Sequence, residues 1–465
     1  MVSGTSKRNV LMASALGSSL APFMVSSLIV ALPTIGHEFL SNPGLLGWVT
    51  NIFFIASAIF LVPFGRVGDR YGVKKLFTVG MAVYFVSALL CAIAPDIPYL
   101  IAARFLTGIG AGMIFGTSIA LLSLVFPESE RGKAIGINVT AMSAGFLLGF
   151  FLGGLLTFYI GWRSIFIVTL PVELFVIALI LTKIRGECEL SKAKELDIRG
   201  MLLYGLSIAF IMTGFSALPG TTGMILIMGG AVCLIVFFSC EARTKVPLLD
   251  IRIFWKNRTF TATNLTVLLF NTSNFAVIFL ISLYLQDVRG MDARVAGIIL
   301  LTPVIFMALF SAYAGRLSDR KTPRMVIGSG ILLGSAGLLL YAWLDAGTPV
   351  LLIVIALALV GIGIAFSQSP LIRTTMSSVP KEVFGLASGL IETMRLVGMT
   401  SSIAISIIVF GITLGTTPVS ASTGQEFTQS LRIIFAILLV ISLCSFLIAL
   451  TLKRPVSPGS PDVVS

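Results

Sequence analysis

Gly65-Arg66-Val67-Gly68-Asp69-Arg70 recurs 250 residues later as Gly315-Arg316-Leu317-Ser318-Asp319-Arg320. Each copy ends one long apolar run and precedes another, so each marks the same point of a repeated unit. A second set recurs at an offset of 253: Gly108, Gly110, Pro127, Gly132, Gly136 and Gly145 answer Gly361, Gly363, Pro380, Gly385, Gly389 and Gly398. Glycine is 45 of 465 residues, so one coincidence would carry little, but six at one offset argue for duplication.

The runs around these repeats are apolar enough for a bilayer. Apolar residues make up 57% of the chain and charged ones 11%, with a mean hydropathy of +1.03. A soluble domain carries roughly 25% charge. Fourteen runs fall at about 10–35, 46–65, 75–94, 100–125, 134–158, 163–183, 200–218, 222–240, 260–284, 295–315, 325–343, 348–371, 384–414 and 430–452. They are continuous rather than alternating. Since a backbone amide in hydrocarbon must be satisfied within its own helix or in a closed barrel, they are helices. The expected fold is all-α and polytopic. Little chain remains between the spans, which excludes an attached ATPase, an ectodomain or a nucleic-acid-binding module.

The repeated hexapeptides follow spans 2 and 10, eight spans apart. The simplest arrangement is six spans, two inserted spans and six more. It gives an N-terminal bundle at 1–190, an inserted pair with its flanking loops at 191–258 and a C-terminal bundle at 259–465. Parallel halves of this sort rock about a midplane site. Of the 32 Lys and Arg, 26 fall on the side of the termini and four on the other (Arg163, Arg289, Arg294, Arg432). The positive-inside rule makes both termini cytoplasmic, in a cell membrane. The net charge of +12 is then a topology signal facing an anionic leaflet, and needs no nucleic-acid partner. The first run is longer than a signal h-region and reads as a retained span.

The single histidine, His37, and the five cysteines (Cys91, Cys188, Cys233, Cys240, Cys444) form no CxxC pair or ligand cluster, so they read as packing residues rather than a metal site. The pattern GxxxxGK[ST] is absent, so work is expected from an ion gradient, with no cofactor.

These features resemble the major facilitator superfamily, and within it the 14-helix drug:proton antiporters. The likeness covers nearly the whole chain. The motif after span 2 is matched by Gly65, Asp69, Arg70, Gly72 and Lys74; the span-4 motif by Arg104, Gly108 and Gly110; and the span-5 antiporter motif by Gly145, Gly149, Gly153 and Gly154. Trp162-Arg163 opens span 6, Asp197 and Gly200 precede the inserted pair, and Glu241 with Pro247-Leu248-Leu249 follows it. There are departures. The span-5 proline is Phe150, the span-4 glutamine is Thr107, and the acid the group places in span 1, before Ala31-Leu32-Pro33, is Met24. The last removes the group's usual route for proton coupling and cation preference.

Asp69 and Arg70, echoed by Asp319 and Arg320, read as a gate latch in loops where spans meet the cytoplasm. The span-5 glycines form small-xxx-small faces for close packing, doubling as a sliding face. Four ionisable groups fall inside spans: Arg104, Glu173, Glu392 and Arg395. Each is costly in hydrocarbon and so a candidate for proton or substrate handling. Glu173 is placed near the midplane. Glu392 and Arg395, at i and i+3, can face each other, and their repeat counterparts are Val139 and Met142. Asn264, Thr266, Asn271, Thr272, Ser273 and Asn274 in span 9 line a cavity or bond to other helices. The resemblance implies proton-coupled export of hydrophobic small molecules by a protein that is not an enzyme. Its expected partners are a lipophilic substrate and membrane lipid, and a monomer suffices. An exporter or facilitator of an endogenous metabolite, not coupled through a span-1 acid, and a non-transporting membrane sensor are the alternatives.

Overall fold

The computed structural model describes residues 6–184, 197–218, 220–244, 257–320, 322–379, 384–415 and 424–452. Among them there is no strand, and fourteen helical spans are long and apolar enough to cross a membrane. In chain order the helices are α1 (Lys7–Glu38), α2 (Pro43–Tyr71), α3 (Val73–Ala92), α4 (Ile97–Val125), α5 (Glu128–Tyr159), α6 (Ser164–Ile167), α7 (Leu170–Lys183), α8 (Ile198–Ser216), α9 (Thr221–Glu241), α10 (Arg258–Leu283), α11 (Ala293–Leu300), α12 (Thr302–Arg320), α13 (Pro323–Ala342), α14 (Val350–Ser377), α15 (Phe384–Thr413) and α16 (Gly424–Ala449). A π-helical turn, Tyr284–Val288, prolongs α10. The sixth and tenth spans are each broken, at Val168-Thr169 between α6 and α7 and at Leu301 between α11 and α12. Pro171 and Pro303 begin the second pieces, where a missing N–H costs least.

Helix starts follow from local chemistry. Asn42 and Asp96 accept backbone bonds from Leu45 N (2.9 Å) and Tyr99 N (2.7 Å), each ahead of a proline at the first positions. The Asp197…Gly200 pair is such a cap too: Asp197 accepts from Gly200 N at 2.8 Å, and a side chain at Gly200 would meet the carboxylates of Asp197 and Glu241.

One expectation is corrected here. Gly65–Arg70 is not a loop but the last turns of α2, and Gly315–Arg320 likewise ends α12. The charges stop the apolar run without stopping backbone hydrogen bonding. The chain turns at Gly72, whose φ of 110° is open to glycine and strained for other residues.

The duplication is repeated in the packing. α1 lies on α5 as α10 lies on α15; α2 and α3 lie on α4 as α12 and α13 lie on α14; α3 meets α7 as α13 meets α16. The recurring glycines sit at matching contacts. A methyl at Gly108 would strike the Phe53 carbonyl of α2, and one at Gly361 the Pro303 carbonyl of α12. Gly110 abuts α3 and Gly363 abuts α13, while Gly145 abuts Ser19 O of α1 and Gly398 abuts Leu268 O of α10. The architecture is 6 + 2 + 6. The expected boundary at 258/259 falls at the start of α10, and that at 190/191 lies outside the described residues.

α8 sits in the groove between α2 and α15, and α9 lies outside it, with Ile225, Met228 and Ile235 exposed where lipid would be. Of the cysteines, Cys91 is buried as a packing residue, whereas Cys240 and Cys444 are exposed; Cys188 lies outside the described residues.

Candidate functional site

The ionisable residues inside spans occupy two different places. Glu392 and Arg395 are on α15, whose two flanks are fixed by close contacts. Gly398 and Ser402 mark the edge against α10, where Ser402 Oγ accepts from Ala276 N at 2.9 Å. Ile403 and Ile407, over Gly47, and Gly389, facing Val62, mark the edge against α2. At about 100° per residue the strip between those edges carries Glu392 and Arg395. They therefore lie between the two bundles. Arg395 Nε donates to Glu392 Oε2 at 2.8 Å and Nη2 to Oε1, a two-pronged pair. The side chains remain 28% and 23% exposed, so the strip is open to a solute.

Arg104 and Glu173 lie inside the N-terminal bundle instead, fully buried on α4 and α7. The Arg104 guanidinium rests 4.7 Å from the centre of the Phe53 ring, and none of its three nitrogens has a hydrogen-bond partner. Neither Glu173 oxygen has one, nor has the Tyr84 hydroxyl of α3; the Thr169 hydroxyl near Glu173 donates to Phe166 O at 2.8 Å. Both charges act electrostatically on Tyr84 and on Cys91, itself 3.9 Å from the Thr107 hydroxyl. The N-terminal bundle thus encloses a desolvated polar cluster.

The span-5 glycines divide between two partners. Gly145, Gly149 and Gly153 press α5 onto α1 within the bundle, where Ser27 Oγ donates to Gly149 O at 3.0 Å; Gly154 presses α5 onto Ala293 of α11 across the bundles. Phe150, at the proline position, is fully buried in an unbroken helix. Asp69 is half-buried at the end of α2, Arg70 is exposed over the Tyr71 ring, and Lys74 lies in the first turn of α3; the side chains of Asp319 and Arg320 lie outside the described residues. The span-9 polar residues mostly bond back within α10, as Asn264 to Phe260 O (2.8 Å), Asn271 to Val267 O (2.7 Å) and Asn274 to Phe270 O (2.9 Å). The helix's own backbone thus takes up their N–H and O–H donors, while the amide oxygens of Asn264 and Asn274 are buried without a partner.

On the face opposite the termini the bundles are joined by bonds that the sequence pattern does not single out. Ser282 Oγ donates to Ile29 O at 2.8 Å, Gln286 Nε2 to Val30 O at 2.9 Å, and His37 Nε2 lies 3.0 Å from Asp287 Oδ1. The first bond has a cause in the sequence. Pro33 has no N–H, so the Ile29 carbonyl lacks its partner one turn on in α1 and is free to accept from α10. Pro33→Ala would restore that partner. It is expected to lower the population joined on this face severalfold, read as a longer distance between spin labels at the exposed ends Leu40 and Ala346. An unchanged distance distribution would refute this.

Comparisons with known proteins agree with this architecture. The Major Facilitator Superfamily model matches residues 14–403. Multidrug resistance protein Stp of Mycobacterium tuberculosis (strain CDC 1551 / Oshkosh) is 30% identical over 399 residues, 84% of this chain and 74% of that protein. Riboflavin transporter RibZ of Clostridioides difficile (strain 630) is 27% identical over 373 residues, 80% of this chain and 81% of that protein. In fold the chain is similar to a bacterial homologue of the human lysosomal transporter Spinster, solved in an inward-facing and unoccupied conformation. The TM-score is 0.73 at 16% identity, over 97% of this chain and 99% of that one. Two packed six-span repeats, an inserted pair and these likenesses together place the chain in the major facilitator superfamily: it is a multi-pass membrane transporter and not an enzyme.

Proposed function

We propose that the protein exports lipophilic small molecules in exchange for protons by alternating access, from a cell membrane in which both termini are cytoplasmic. The observation that carries this reading is the partly exposed Glu392–Arg395 pair on the strip of α15 between the bundles, with the bundles joined on the far face. A substrate entering from the side of the termini meets a charge pair it can compete for. The similarity to a multidrug resistance protein supports export of drug-like molecules. Glu173, buried in the N-terminal bundle, supplies a second carboxyl, which can hold the coupled proton in place of the span-1 acid that Met24 replaces. Asp69 and Arg70 close the side of the termini. Work comes from the proton gradient without a cofactor, and a single chain in lipid suffices.

The test is dye movement in proteoliposomes under an imposed pH gradient. Glu173→Gln is expected to leave dye binding within about twofold and to uncouple export from the gradient. Glu392→Gln is expected to weaken dye binding about tenfold, the cost of one charge-assisted contact. Proton-dependent export by both variants at the native rate would remove the assignment. A second reading, export of an endogenous metabolite, is favoured by Met24 and by the likeness to a riboflavin transporter. It predicts movement of one metabolite class and none of the dyes.

A further inference from the structure

At one buried hydroxyl the inserted pair reaches both bundles at once. Tyr204 of α8 is buried, with its ring against Phe237 of α9. Its hydroxyl lies 3.1 Å from the Ala58 carbonyl of α2, in the N-terminal bundle, and 3.2 Å from Thr393 Oγ1 of α15, in the C-terminal bundle. Thr393 stands next to Glu392 and two residues before Arg395.

The proton arithmetic matters. Thr393 has one hydroxyl proton, and 2.9 Å separates it from Gly389 O within its own helix. Tyr204 also has one proton, with the Ala58 carbonyl and the Thr393 oxygen both in reach. Both contacts are bonds together only when Thr393 turns its proton toward Tyr204; otherwise Tyr204 must choose one bundle. A hydroxyl so placed has two arrangements of similar cost, as a switching contact requires.

The anchoring is unequal. α8 is tied to α2 a second time, by Asn51 Nδ2 donating to Ser216 Oγ at 2.8 Å. Two bonds about 18 Å apart along α8 hold it to that bundle. Toward α15 the hydrogen bond is Tyr204–Thr393, within an apolar cluster that joins Tyr204 and Phe237 to Phe260, Val379, Ala387 and Leu390 of the C-terminal bundle and to Val62 of α2.

We propose that Tyr204 is a positioning residue of the transport cycle: it travels with α2, and its bond to Thr393 holds the turn of α15 that carries Glu392 and Arg395 while the α2–α15 seam is closed. When the bundles separate at that seam, α8 stays with α2, the bond breaks, and the charged pair is released to reorient. The inserted helices then act as a clasp on the binding strip. This inference rests on the alternating-access reading above.

The test uses the full chain in nanodiscs without substrate. Spin labels at Ile198 (α8) and Ser377 (end of α14) report the seam; labels at Ile198 and Tyr71 (end of α2) report the anchored side. All three positions are exposed. Tyr204→Phe keeps the ring packing and removes the hydroxyl. It is expected to raise the open fraction of the Ile198–Ser377 distance about threefold to tenfold and leave Ile198–Tyr71 unchanged. Thr393→Val should do the same, Thr393→Ser should not, and the double variant should exceed neither single one, because both remove one contact. In proteoliposomes Tyr204→Phe should change the maximal rate per folded molecule at least threefold, with KM within about twofold and the melting temperature of the wild type. Native seam distances in Tyr204→Phe, or additive effects in the double variant, would overturn the proposal. A wild type that moves no dye would sink the export reading and leave the seam measurement standing.

Discussion

A valine at Gly149 is expected to keep the N-terminal bundle from forming. The first atom of any side chain there would overlap the Ser26 hydroxyl and the Phe23 carbonyl of α1. The hydroxyl could rotate away, although it now bonds Pro22 O at 2.9 Å. The carbonyl is part of α1 and cannot move without moving the helix. Overpacking costs about 1–3 kcal/mol where neighbours can yield, and more where the obstacle is backbone. Against a total stability of about 5–15 kcal/mol, such a loss is large. The measurement is the monodisperse fraction and melting temperature of the detergent-solubilised protein. Gly136→Ala, on the same helix but with nothing within 4 Å of the added carbon, is the control, and should gain about 0.5–1 kcal/mol. If Gly149→Val melts with the wild type, the α1–α5 contact is not what these glycines serve.

Arg104→Met is expected to separate stability from function. The guanidinium is fully buried and its three nitrogens bond nothing. A charge at the centre of a membrane helix costs about 2.5–3.5 kcal/mol on insertion scales, an upper figure for Arg104 near the start of α4. The Phe53 face returns about 2 kcal/mol or somewhat more at a desolvated site. A methionine of similar length fills the space without the charge, so the variant should melt at or above the wild-type temperature. Transport should fall more than tenfold, because a residue kept at such a cost is kept for the cycle. A variant that melts lower and transports normally would show Arg104 to be structural, held by its packing inside the bundle.

The parts of this fold that were legible beforehand are those written in local pattern. Fourteen apolar runs count the spans because the bilayer demands length, and the hexapeptide at Gly65 and Gly315 reports the duplication because both copies end equivalent helices. What local pattern could not carry was where helices stop and what they meet. Charges at Arg66 and Asp69 end an apolar run, yet the helix continues to Tyr71 and only Gly72 turns the chain. Glu173 and Glu392 look alike as carboxylates in spans. One lies inside a bundle and the other between bundles, a difference set by neighbours on α3 and α10 rather than by their own surroundings in sequence. His37 was readable only as a lone histidine, because Asp287 stands 250 residues away. Tyr204 gave no signal at all, since a tyrosine in an apolar run is ordinary.

The bonds from Ser282 and Gln286 to the carbonyls of Ile29 and Val30 have a consequence for how this protein tolerates change. Every residue type carries a carbonyl, so the accepting side of that contact has no side-chain identity to lose. Replacing Ile29 or Val30 one at a time by alanine leaves both acceptors in place, and a scan along α1 would pass over the joint without registering it. The constraint is concentrated on the two donors of the opposite bundle and on Pro33, which contributes by what it lacks. The joint itself therefore constrains one helix only through a single proline and the other through two side chains, while burial of Ile29 and Val30 in the core still limits their size.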